Sequence, residues 1–381
     1  MKTIYLHGSP DLYGSGKVLL EILRIPDNAK NAIVVLPHEG PLCKPIKDLN
    51  IPLHIVNMGV LRRKYFTPWG IAGRLFLWIN AIWEIKKIMQ KNDVQLIYVN
   101  SLNIIIGPWL KLTTKKTLVW HLHEIIEDPK ILFWFLHRLL NKADRLIAVS
   151  KAVKTHWNKR SLTTPFHILY NGFYDTRNKN PLPRLTSAET NKPNNKLIIG
   201  MVARIQPLKG HSYLLQILEQ LVSNPAFKSP ETLQLIIAGD PYPGHEHLLI
   251  KLKNEIKKRQ LDSYVQYIGF KEDITELMEN IDVLIVPSIK PDSLPTVVLE
   301  AMRAGKPVIA TRQGGCLEMI EENSTGYFIP LNDPILSCKI LLPIFSDKEQ
   351  LRQAGLRGKK RAEQLFTIGA FQEGWLNIMS R

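Results

Sequence analysis

The stretch IDVLIVPSIKPDSLPTVVLEAMRAGKPVIAT, residues 281–311, decides the fold of this chain. It opens with a short, nearly continuous apolar run to Val286, which is typical of a strand buried in a parallel sheet. Pro295 suits the first position of a helix, where its fixed φ fits and no N–H is missed, and Gly305 is a typical helix stop. Residues 306–311 then predict a second strand. The stretch therefore predicts a β-strand, a helix and a further parallel strand in succession.

Two carboxylates, Asp292 and Glu300, lie on either side of the junction between the loop and the helix of this unit. In such a unit ligands bind outside the carboxyl ends of the strands. The free N–H groups at the start of the helix form a site for phosphate. Because carboxylates beside a phosphate would be repelled by it, we expect these two acids to bind hydroxyl groups. A phosphate with hydroxyls on both sides predicts a sugar nucleotide as the ligand.

The same alternation of apolar runs and helical patterns extends through the first half of the chain and predicts a mostly parallel sheet covered on both faces. The predicted strands are 3–6, 32–36, 53–56, 94–99, 117–121, 145–149 and 166–169. The predicted helices are 17–23, 72–89, 129–141 and 152–158. Residues 174–195 are rich in Pro, Asn and charge and predict a linker.

A second alternation follows the linker and ends in polar helices. Its predicted strands are 196–203, 233–238, 265–268, 281–286 and 308–311, and its predicted helices are 211–224, 247–259, 273–280, 296–304, 317–323 and 366–379. A length of 381 residues favours two domains. We therefore predict two Rossmann-like α/β domains facing a central cleft, at residues 1–180 and 196–365.

The charge of the chain is unevenly distributed. The net charge is +16, and residues 1–190 hold 27 Lys and Arg against 13 Asp and Glu, whereas residues 191–381 hold 23 against 21. A basic first half favours an anionic partner, namely a nucleic acid, an anionic lipid or a phosphorylated acceptor, although many basic surfaces are only solvated.

The cysteines and the hydropathy pattern indicate the compartment. Three widely separated cysteines, Cys43, Cys316 and Cys338, favour a reducing environment and argue against a disulfide framework or a zinc ribbon. The N-terminus lacks the apolar core of a signal peptide, and no apolar run approaches the roughly 18 residues that span a bilayer. We expect a cytoplasmic protein.

A cationic loop opens the second domain. The sequence GMVARIQPLKGH, residues 200–211, follows a predicted strand and precedes a helix. Arg204 and Lys209 therefore lie near the carboxyl end of the strand, where a guanidinium fork and an ammonium group suit a diphosphate. Gly200 allows a close backbone approach, and Gly210 permits a tight turn before the helix. Alone this pattern also fits a charged surface loop.

These motifs, in this order, resemble the GT-B glycosyltransferases of family 4. The likeness lies in GMVARIQPLKG, then IIAGD with VQYIGFKEDITELMENIDVLIVPS, then DSLPTVVLEAMRAGKPVIATRQGGCLEMIEENSTGYFI. In the first half YGSGKVLLEIL, HLHE, ADRLIAVSKAVK and ILYNGF match more thinly. The resemblance implies a GT-B fold in which the first domain serves the acceptor and the second the donor. It also implies that residues 366–381 form a helix that packs back on the first domain.

The resemblance implies a role for several residues of the second domain. Arg204 and Lys209 match the pair that holds the nucleotide diphosphate. Asp292, where the family usually has Glu, is expected to contact donor-sugar hydroxyls, and Glu300 to contact the ribose. Further positions expected to border the donor are Gly269, Phe270, Ser293, Leu294, Pro295, Thr296, Gly314, Gly315 and Glu318.

The first domain offers a catalytic histidine and a glycine loop. The family places a His followed by an acid near the anomeric carbon of the donor, which His123 with Glu124 fits best and His121 second. Gly16, in the sequence Gly14-Ser15-Gly16, resembles the glycine loop of the family and is expected near the donor; Asn171-Gly172 matches the segment before the hinge. The loop is not a P-loop, because Asp11 replaces the first glycine and Val18 the Ser or Thr.

We expect no metal and no cofactor other than the sugar nucleotide as substrate. The chain has no Asp-x-Asp, and His245-Glu246-His247 lacks zinc-ligand spacing. Residues 61–92 interleave cations with aromatic side chains, which suits an anionic membrane surface, although a helix facing the core would show the same periodicity. The basic residues are Arg62, Arg63, Lys64, Arg74, Lys86, Lys87 and Lys91, and the aromatic residues are Tyr65, Phe66, Trp69, Phe76, Trp78 and Trp83.

The resemblance implies transfer of a sugar from a nucleotide donor with retention of anomeric configuration. The expected acceptor is a lipid-linked or polysaccharide intermediate in the synthesis of cell-surface glycans. The departing diphosphate is expected to take the proton of the acceptor, so no side-chain base is required. Two alternatives are a sugar-nucleotide epimerase of related fold and a basic nucleic-acid-binding protein. The second is suggested only by charge, since the chain has no nucleic-acid module.

Overall fold

The computed structural model describes residues 1–12, 14–61, 65, 67–159, 162–172 and 196–380. The chain forms two compact units, one made of residues up to 172 together with the C-terminal helix, the other of residues up to Thr367. The predicted linker, residues 174–195, and residues 173–180 of the predicted first domain lie outside the described residues. Each unit is an α/β domain with a parallel sheet, as the sequence predicts.

The strands of both units are short, and most of them are buried. The first unit contains β1 (Thr3–Leu6), β2 (Ala32–Leu36), β3 (Leu53–Ile55), β4 (Leu96–Val99), β5 (Thr117–Leu122), β6 (Arg145–Ala148) and β7 (Phe166–Ile168). The second contains β8 (Leu197–Val202), β9 (Leu233–Ala238), β10 (Val265–Tyr267), β11 (Val283–Val286), β12 (Val308–Thr311) and β13 (Gly326–Ile329). Runs such as AIVVL in β2 are apolar throughout because helices cover both faces of a parallel sheet.

The helices alternate with these strands. The first unit contains α1 (Gly14–Leu23), α2 (Pro26–Asn31), α3 (Cys43–Asp48), α4 (Pro68–Lys91), α5 (Gly107–Thr114), α6 (Lys130–Leu140) and α7 (Lys151–Trp157). The second contains α8 (His211–Val222), α9 (His247–Lys258), α10 (Thr275–Asn280), α11 (Thr296–Arg303), α12 (Cys316–Met319), α13 (Pro334–Ser346) and α14 (Lys348–Leu365). The C-terminal helix, α15 (Ile368–Ser380), packs in the core of the first unit through Phe371, Trp375 and Ile378.

The strand order places a topological switch point in each sheet. The order is β3-β2-β1-β4-β5-β6-β7 in the first unit and β10-β9-β8-β11-β12-β13 in the second. The order therefore reverses between β1 and β4, and again between β8 and β11. Loops that leave these neighbouring strands at their carboxyl ends diverge and leave a crevice, which is where such sheets bind ligands.

Several elements differ from the sequence prediction. The helices α2, α3, α5 and α13 and the strand β13 were not predicted, because their short or apolar runs lack a clear period. Gly14 to Gly16 form the first turn of α1 instead of a separate loop, and a Cβ on Gly16 would lie 2.3 Å from the Asp11 carbonyl oxygen. Pro295 is the residue before α11 and not its first helical residue. In the part of the chain that the structure describes, no helix combines the length and the hydrophobicity needed to cross a bilayer.

Candidate active site

A polar cluster of the second unit lies at the switch point between β8 and β11. Lys209, in the loop after β8, places its Nζ 2.5 Å from Oδ1 of Asp292, in the loop after β11. The other carboxylate oxygen, Oδ2, accepts a hydrogen bond of 2.6 Å from the Ser288 hydroxyl. The two side chains of the ion pair are 24% and 22% exposed, so the pair is held in place yet reachable by a ligand. The structure thus brings together two predicted site residues and adds Ser288.

A cationic side chain on the same loop is held by an aromatic ring. The guanidinium carbon of Arg204 lies 3.4 Å from the centroid of the Tyr242 ring, a cation–π contact. The loop of Arg204 is linked to the loop after β9, because the Ile205 N–H donates to the Asp240 carbonyl oxygen at 3.1 Å. This stacking orients the plane of the guanidinium, a group whose geometry suits a diphosphate.

The start of α11 has the features of an anion site. The residue before the helix is Pro295, whose side chain has no atom that accepts a hydrogen bond. The first N–H groups of the helix are therefore not capped by this residue. Pro295 itself has no N–H, so the backbone donors among residues 293–296 are those of Ser293, Leu294 and Thr296. Glu300 lies one turn further along α11 and is half-buried. An uncapped helix start of this kind favours phosphate.

A glycine pair supports the loop that carries Asp292. A Cβ on Gly314, which has φ +60°, would lie 2.3 Å from the Asp292 carbonyl oxygen, and one on Gly315 would lie 2.2 Å from that of Ser293. The Gly315 N–H also donates to the Asp292 carbonyl oxygen at 2.8 Å. Only glycine therefore permits this approach of two backbones. Glu318, on α12, is half-buried.

The loop after β10 lies beside the loop after β9. The Gly239 N–H donates to the Gly269 carbonyl oxygen at 2.8 Å, and the Phe270 N–H donates to Asp240 Oδ2 at 3.2 Å. Gly269 has φ +69° with open space where a Cβ would be, and the Phe270 ring is 54% exposed. An exposed ring beside a bare backbone suits the flat face of a base. Burial, followed by Asp240, raises the pKa of the Tyr267 hydroxyl that donates to Asp240.

One thiol lies near the carboxylate of this site. Cys316 is buried at the start of α12, and burial followed by the charge of Asp292 raises the pKa of its thiol to about 12. A thiol with so high a pKa stays protonated at neutral pH and is not a nucleophile. The polar groups that remain at this edge are cations, hydroxyls and carboxylates.

The predicted histidine lies in the first unit, at the carboxyl end of β5. His123 places Nε2 3.0 Å from Oδ1 of Asn100, which follows β4. The amide nitrogen of Asn100 donates at 3.0 Å to the carbonyl oxygen of Ser15, in the first turn of α1. Burial, then the neighbouring His121 and His7, hold the pKa of His123 well below its usual value, so the ring is neutral at pH 7. The sequence reasoning did not identify Asn100.

Two neighbours of His123, namely His121 and Glu124, bond to other residues of the first unit. His121 is completely buried, and its Nδ1 lies 3.0 Å from the Tyr98 hydroxyl. Of the two candidate histidines, His121 is the fully buried one and His123 the half-buried one. Glu124 accepts hydrogen bonds from the Ser101 hydroxyl at 2.8 Å and from the Leu102 N–H at 3.3 Å. Burial raises the pKa of this carboxyl above its usual value. Glu124 thus joins the loop after β5 to the loop after β4.

The residues that sequence reasoning did not select share one signal. Asn100, Asp240 and Ser288 each follow a buried strand directly or within two residues. Polar residues at the carboxyl ends of parallel strands are the positions at which α/β sheets bind ligands, so this rule alone would have selected them. Asn171, near the end of the described range 162–172, is buried. Among the described residues, no three His, Cys, Asp or Glu side chains are grouped so as to hold a metal ion.

Two family models match the chain in succession. Residues 31–177 match the model described as Glycosyltransferase Family 4, and residues 184–361 match the one described as Glycosyl transferases group 1. A lipopolysaccharide 1,2-N-acetylglucosaminetransferase of Salmonella typhimurium is 27% identical over 365 residues, which cover 92% of this chain and 87% of that protein. An N-acetyl-alpha-D-glucosaminyl L-malate synthase of Bacillus anthracis is 24% identical, over 63% of this chain and 57% of that protein.

The fold of this chain matches that of solved crystal structures. The crystal structure of Anabaena HepE in complex with UDP superposes with a TM-score of 0.81 at 22% identity, over 100% of both chains. The prediction of two Rossmann-like domains of the GT-B type is thereby confirmed. The matching families also confirm the predicted enzyme class, and they lend no support to a sugar-nucleotide epimerase.

Proposed function

Because this chain is a GT-B glycosyltransferase, we propose that it transfers a sugar from a nucleotide-sugar donor to a glycan or lipid-linked acceptor with retention of anomeric configuration. The observation that carries the proposal is the 2.5 Å contact between Lys209 and Asp292 at the switch point, beside the uncapped start of α11. The Anabaena protein HepE has been crystallised with UDP and with UDP-glucose, which supports a uridine nucleotide sugar as the donor.

The second unit is proposed to bind the donor through its diphosphate. Arg204 and Lys209 supply positive charge from the β8 side, and the N–H groups at the start of α11 supply donors from the β11 side. Glu300 is proposed to accept hydrogen bonds from the ribose hydroxyls. The exposed ring of Phe270 offers a stacking surface for the base. The donor sugar would then extend toward Asp292.

The reaction is proposed to depend on the leaving group. As the bond between the anomeric carbon and the phosphate oxygen breaks, negative charge develops on the diphosphate, and preorganised cations and amide dipoles stabilise it. The departing phosphate oxygen takes the proton of the attacking acceptor hydroxyl, which then bonds to the same face of the sugar. Asp292 holds Lys209 in place, and no side chain acts as the base. We propose that the reaction needs no metal ion or other cofactor.

His123 is proposed to contact the donor sugar near its reacting carbon. A neutral ring both donates and accepts a hydrogen bond, and its Nε2 is already oriented by Asn100. With Nε2–H donating to the Asn100 oxygen, Nδ1 is left as an acceptor for a sugar hydroxyl. The low pKa of His123 keeps this acceptor available at neutral pH.

The test is the transfer rate of the Arg204→Ala and Lys209→Ala variants. Loss of one group that stabilises developing charge lowers kcat by about 10²-fold or more. Arg352→Ala is the matched control, since Arg352 pairs with Glu349 on the exposed face of α14. Native rates in both site variants would refute the proposal. A panel of nucleotide sugars in thermal denaturation identifies the donor, because a ligand at 100 times its Kd stabilises the folded state by about 2.7 kcal/mol.

The acceptor is proposed to lie at an anionic membrane surface, at the cytoplasmic face, in the synthesis of a cell-surface glycan. The Salmonella relative is named for a lipopolysaccharide reaction, which supports this class of acceptor. On α4 the side chains of Trp69, Phe76 and Trp83 are exposed, and Lys87 Nζ lies 3.2 Å from the centroid of the Trp83 ring. Arg62, Arg63, Lys64 and Phe66 of the predicted surface lie outside the described residues.

Co-sedimentation with vesicles tests the membrane part of this proposal. Exposed aromatic rings next to Lys and Arg favour binding at the headgroup level of anionic bilayers, and salt weakens it. We expect the protein to sediment with phosphatidylglycerol vesicles at low salt and to remain in solution with neutral phosphatidylcholine vesicles. No sedimentation with the anionic vesicles would remove the membrane from the proposal and leave the sugar transfer intact.

A further inference from the structure

The first unit contains a groove whose lining is entirely apolar. It has a volume of about 550 Å³ and lies among the N-terminal half of α4, the start of α5 and the start of α6. The twelve described residues that line it are all Leu, Ile, Trp, Phe or Pro. An engineered cavity of about 150 Å³ already binds benzene, so this volume suits a larger hydrocarbon.

The groove opens to solvent along one edge. Ile131, on α6, is 78% exposed, and Ile79 and Leu75, on α4, are 67% and 52% exposed. Such a set of exposed aliphatic side chains around one cavity is more than the scattered apolar residues of an ordinary surface. The polar atom of one lining residue, Trp78, is already satisfied, because its Nε1–H donates to the Gly59 carbonyl oxygen at 2.9 Å.

The lining selects the chemistry of the occupant. A peptide segment would bring N–H and C=O groups into a groove that offers them no partners, and each unpaired group would oppose binding. A hydrocarbon chain has no such groups and gains by leaving water. The charge of the lining helices favours an anionic head, since α4, α5 and α6 hold seven Lys and Arg and a single acidic residue, Glu84. Outside these helices, the acidic residues Glu127 and Asp128 precede the lining residue Pro129.

The groove is connected to the histidine cluster by a short segment. Asn100 and Ser101, which bond to His123 and Glu124, begin this segment, and Ile106, which lines the groove, ends it. The groove therefore lies at the carboxyl-end edge of the sheet, the edge on which acceptor chemistry is proposed for this unit.

We propose that this groove binds the hydrocarbon chain of a single anionic lipid, and that this lipid is the acceptor. The proposal deepens the proposed function and rests on it for the identity of the lipid as acceptor. It differs from contact with a membrane surface, because one chain leaves the bilayer and lies between three helices. The proposed partner of the headgroup phosphate on α4 is Arg74, which lies in the N-terminal half of the helix next to the lining residue Leu75.

The test uses n-alkyl phosphates of eight, ten and twelve carbons as probes, below the concentrations at which they form micelles, with binding followed by calorimetry. Each methylene that enters an apolar groove strengthens binding about fourfold. We therefore expect at least a tenfold decrease in Kd between octyl and dodecyl phosphate. A Kd that does not change with chain length would overturn the proposal.

Two tryptophan substitutions separate the groove from the surface around it. In Ile79→Trp the larger ring fills the mouth of the groove, so dodecyl phosphate should bind at least tenfold more weakly. In Leu112→Trp, a control at an α5 residue that is 76% exposed and does not line the groove, binding should equal that of the native protein. Both positions are exposed, and equal melting temperatures check that each variant is folded.

Two other results with Ile79→Trp would overturn the proposal. If the apolar face only rests among lipid tails, the added ring of Ile79→Trp strengthens binding to vesicles and alkyl phosphates, and the groove proposal fails. A native dimer that Ile79→Trp converts to monomers in light scattering would assign the groove to a second copy of the chain, which also overturns it. Sugar transfer to a soluble acceptor by the same preparations reports on the proposed function separately, since neither substitution touches the donor residues.

Discussion

At the level of single residues, Asp292 determines where the charge of Lys209 lies. Its two oxygens are engaged by Lys209 at 2.5 Å and by the Ser288 hydroxyl at 2.6 Å. A carboxylate offers about four lone-pair sites, so it can still accept a hydrogen bond from a sugar hydroxyl. The side chain of Asp292 thus brings its carboxylate to Lys209 across the switch point.

The Asp292→Asn variant tests this positioning. It keeps the size of the side chain and removes the charge, so a charge-assisted bond of about 1.5–3 kcal/mol is lost. We expect kcat/KM for sugar transfer to fall by roughly 10- to 100-fold. Ser288→Ala is the control, because it removes a neutral partner of the same carboxylate and should lower kcat/KM less than tenfold. A larger loss in Ser288→Ala than in Asp292→Asn would contradict the assigned role.

The sequence identified these residues but not their partners. Arg204, Lys209, Asp292 and Glu300 could be selected because their spacing after strands and before helices is regular. That Arg204 stacks on Tyr242 depends on the direction of two loops that are distant in sequence. Side-chain direction in loops has no period, so no sequence pattern predicts it. The assigned roles of these residues stay predictions until the variants are measured.

At the level of elements, glycines fix how the loops of the second unit leave their strands. Gly210, directly before α8, has φ +76°, and a Cβ there would lie 1.8 Å from the Pro287 carbonyl oxygen. The carbonyl belongs to the loop that leaves β11. The close approach therefore holds the Lys209 loop against the Asp292 loop, and it explains why the glycine stands between Lys209 and the helix.

Gly210→Ala is expected to destabilise the second unit. The left-handed conformation alone costs a side chain on the order of 1 kcal/mol, and the backbone clash adds to it, for a total of about 2 kcal/mol or more. Gly244→Ala is the matched control, since Gly244 has φ +84° with open space around its missing Cβ. Thermal or urea denaturation measures both. Equal losses of stability in the two variants would show that the approach to Pro287 is not limiting.

The elements that the sequence predicted best are those whose pattern is strong. Strands such as β2 and β9 were predicted with their bounds, because short runs rich in Ile, Leu and Val are distinctive. The helix α4 is longer than predicted, and its apolar side chains are exposed on several sides. A periodicity argument assumes that apolar means buried, so it could not distinguish a ligand groove from the core.

At the level of the whole molecule, the C-terminal helix shows what local patterns omit. The helix α15 begins at Ile368, immediately after the second unit ends, yet its Phe371 and Trp375 are buried in the core of the first. The sequence pattern predicted a polar helix at residues 366–379, and it did not specify which sheet the helix covers. Only the resemblance to a family supplied that expectation. The two switch points, by contrast, follow from strand order, which the sequence could not provide.

Five histidines of the described residues, His156 among them, have a lowered pKa and give the molecule a definite response to acid. Burial lowers the pKa of His7 and of His211 to about 4, and that of His121 to about 3, while His123 lies well below its usual value. Between the unfolded pKa of about 6.5 and these folded values, the unfolded chain binds protons that the folded chain does not. Stability that is complete above pH 6.5 is therefore lost as the pH falls toward 4. Glu124 has a raised pKa and acts in the opposite direction, because the folded chain retains a proton on it that the unfolded chain has released. This single proton offsets only part of the loss of stability.

The melting temperature at constant ionic strength should accordingly be level near pH 7.5 and fall steeply between pH 6.5 and 4. His7 alone accounts for a loss on the order of 3 kcal/mol by pH 4. In His7→Asn, one proton fewer is taken up on unfolding, so the slope of stability against pH should decrease by about 1.4 kcal/mol per pH unit. Because His7 bonds to Asn100, this variant is compared with itself across pH and not with the native protein at one pH. An unchanged slope would mean that His7 is charged in the folded protein, and the neutral histidine cluster assigned to the first unit would have to be abandoned.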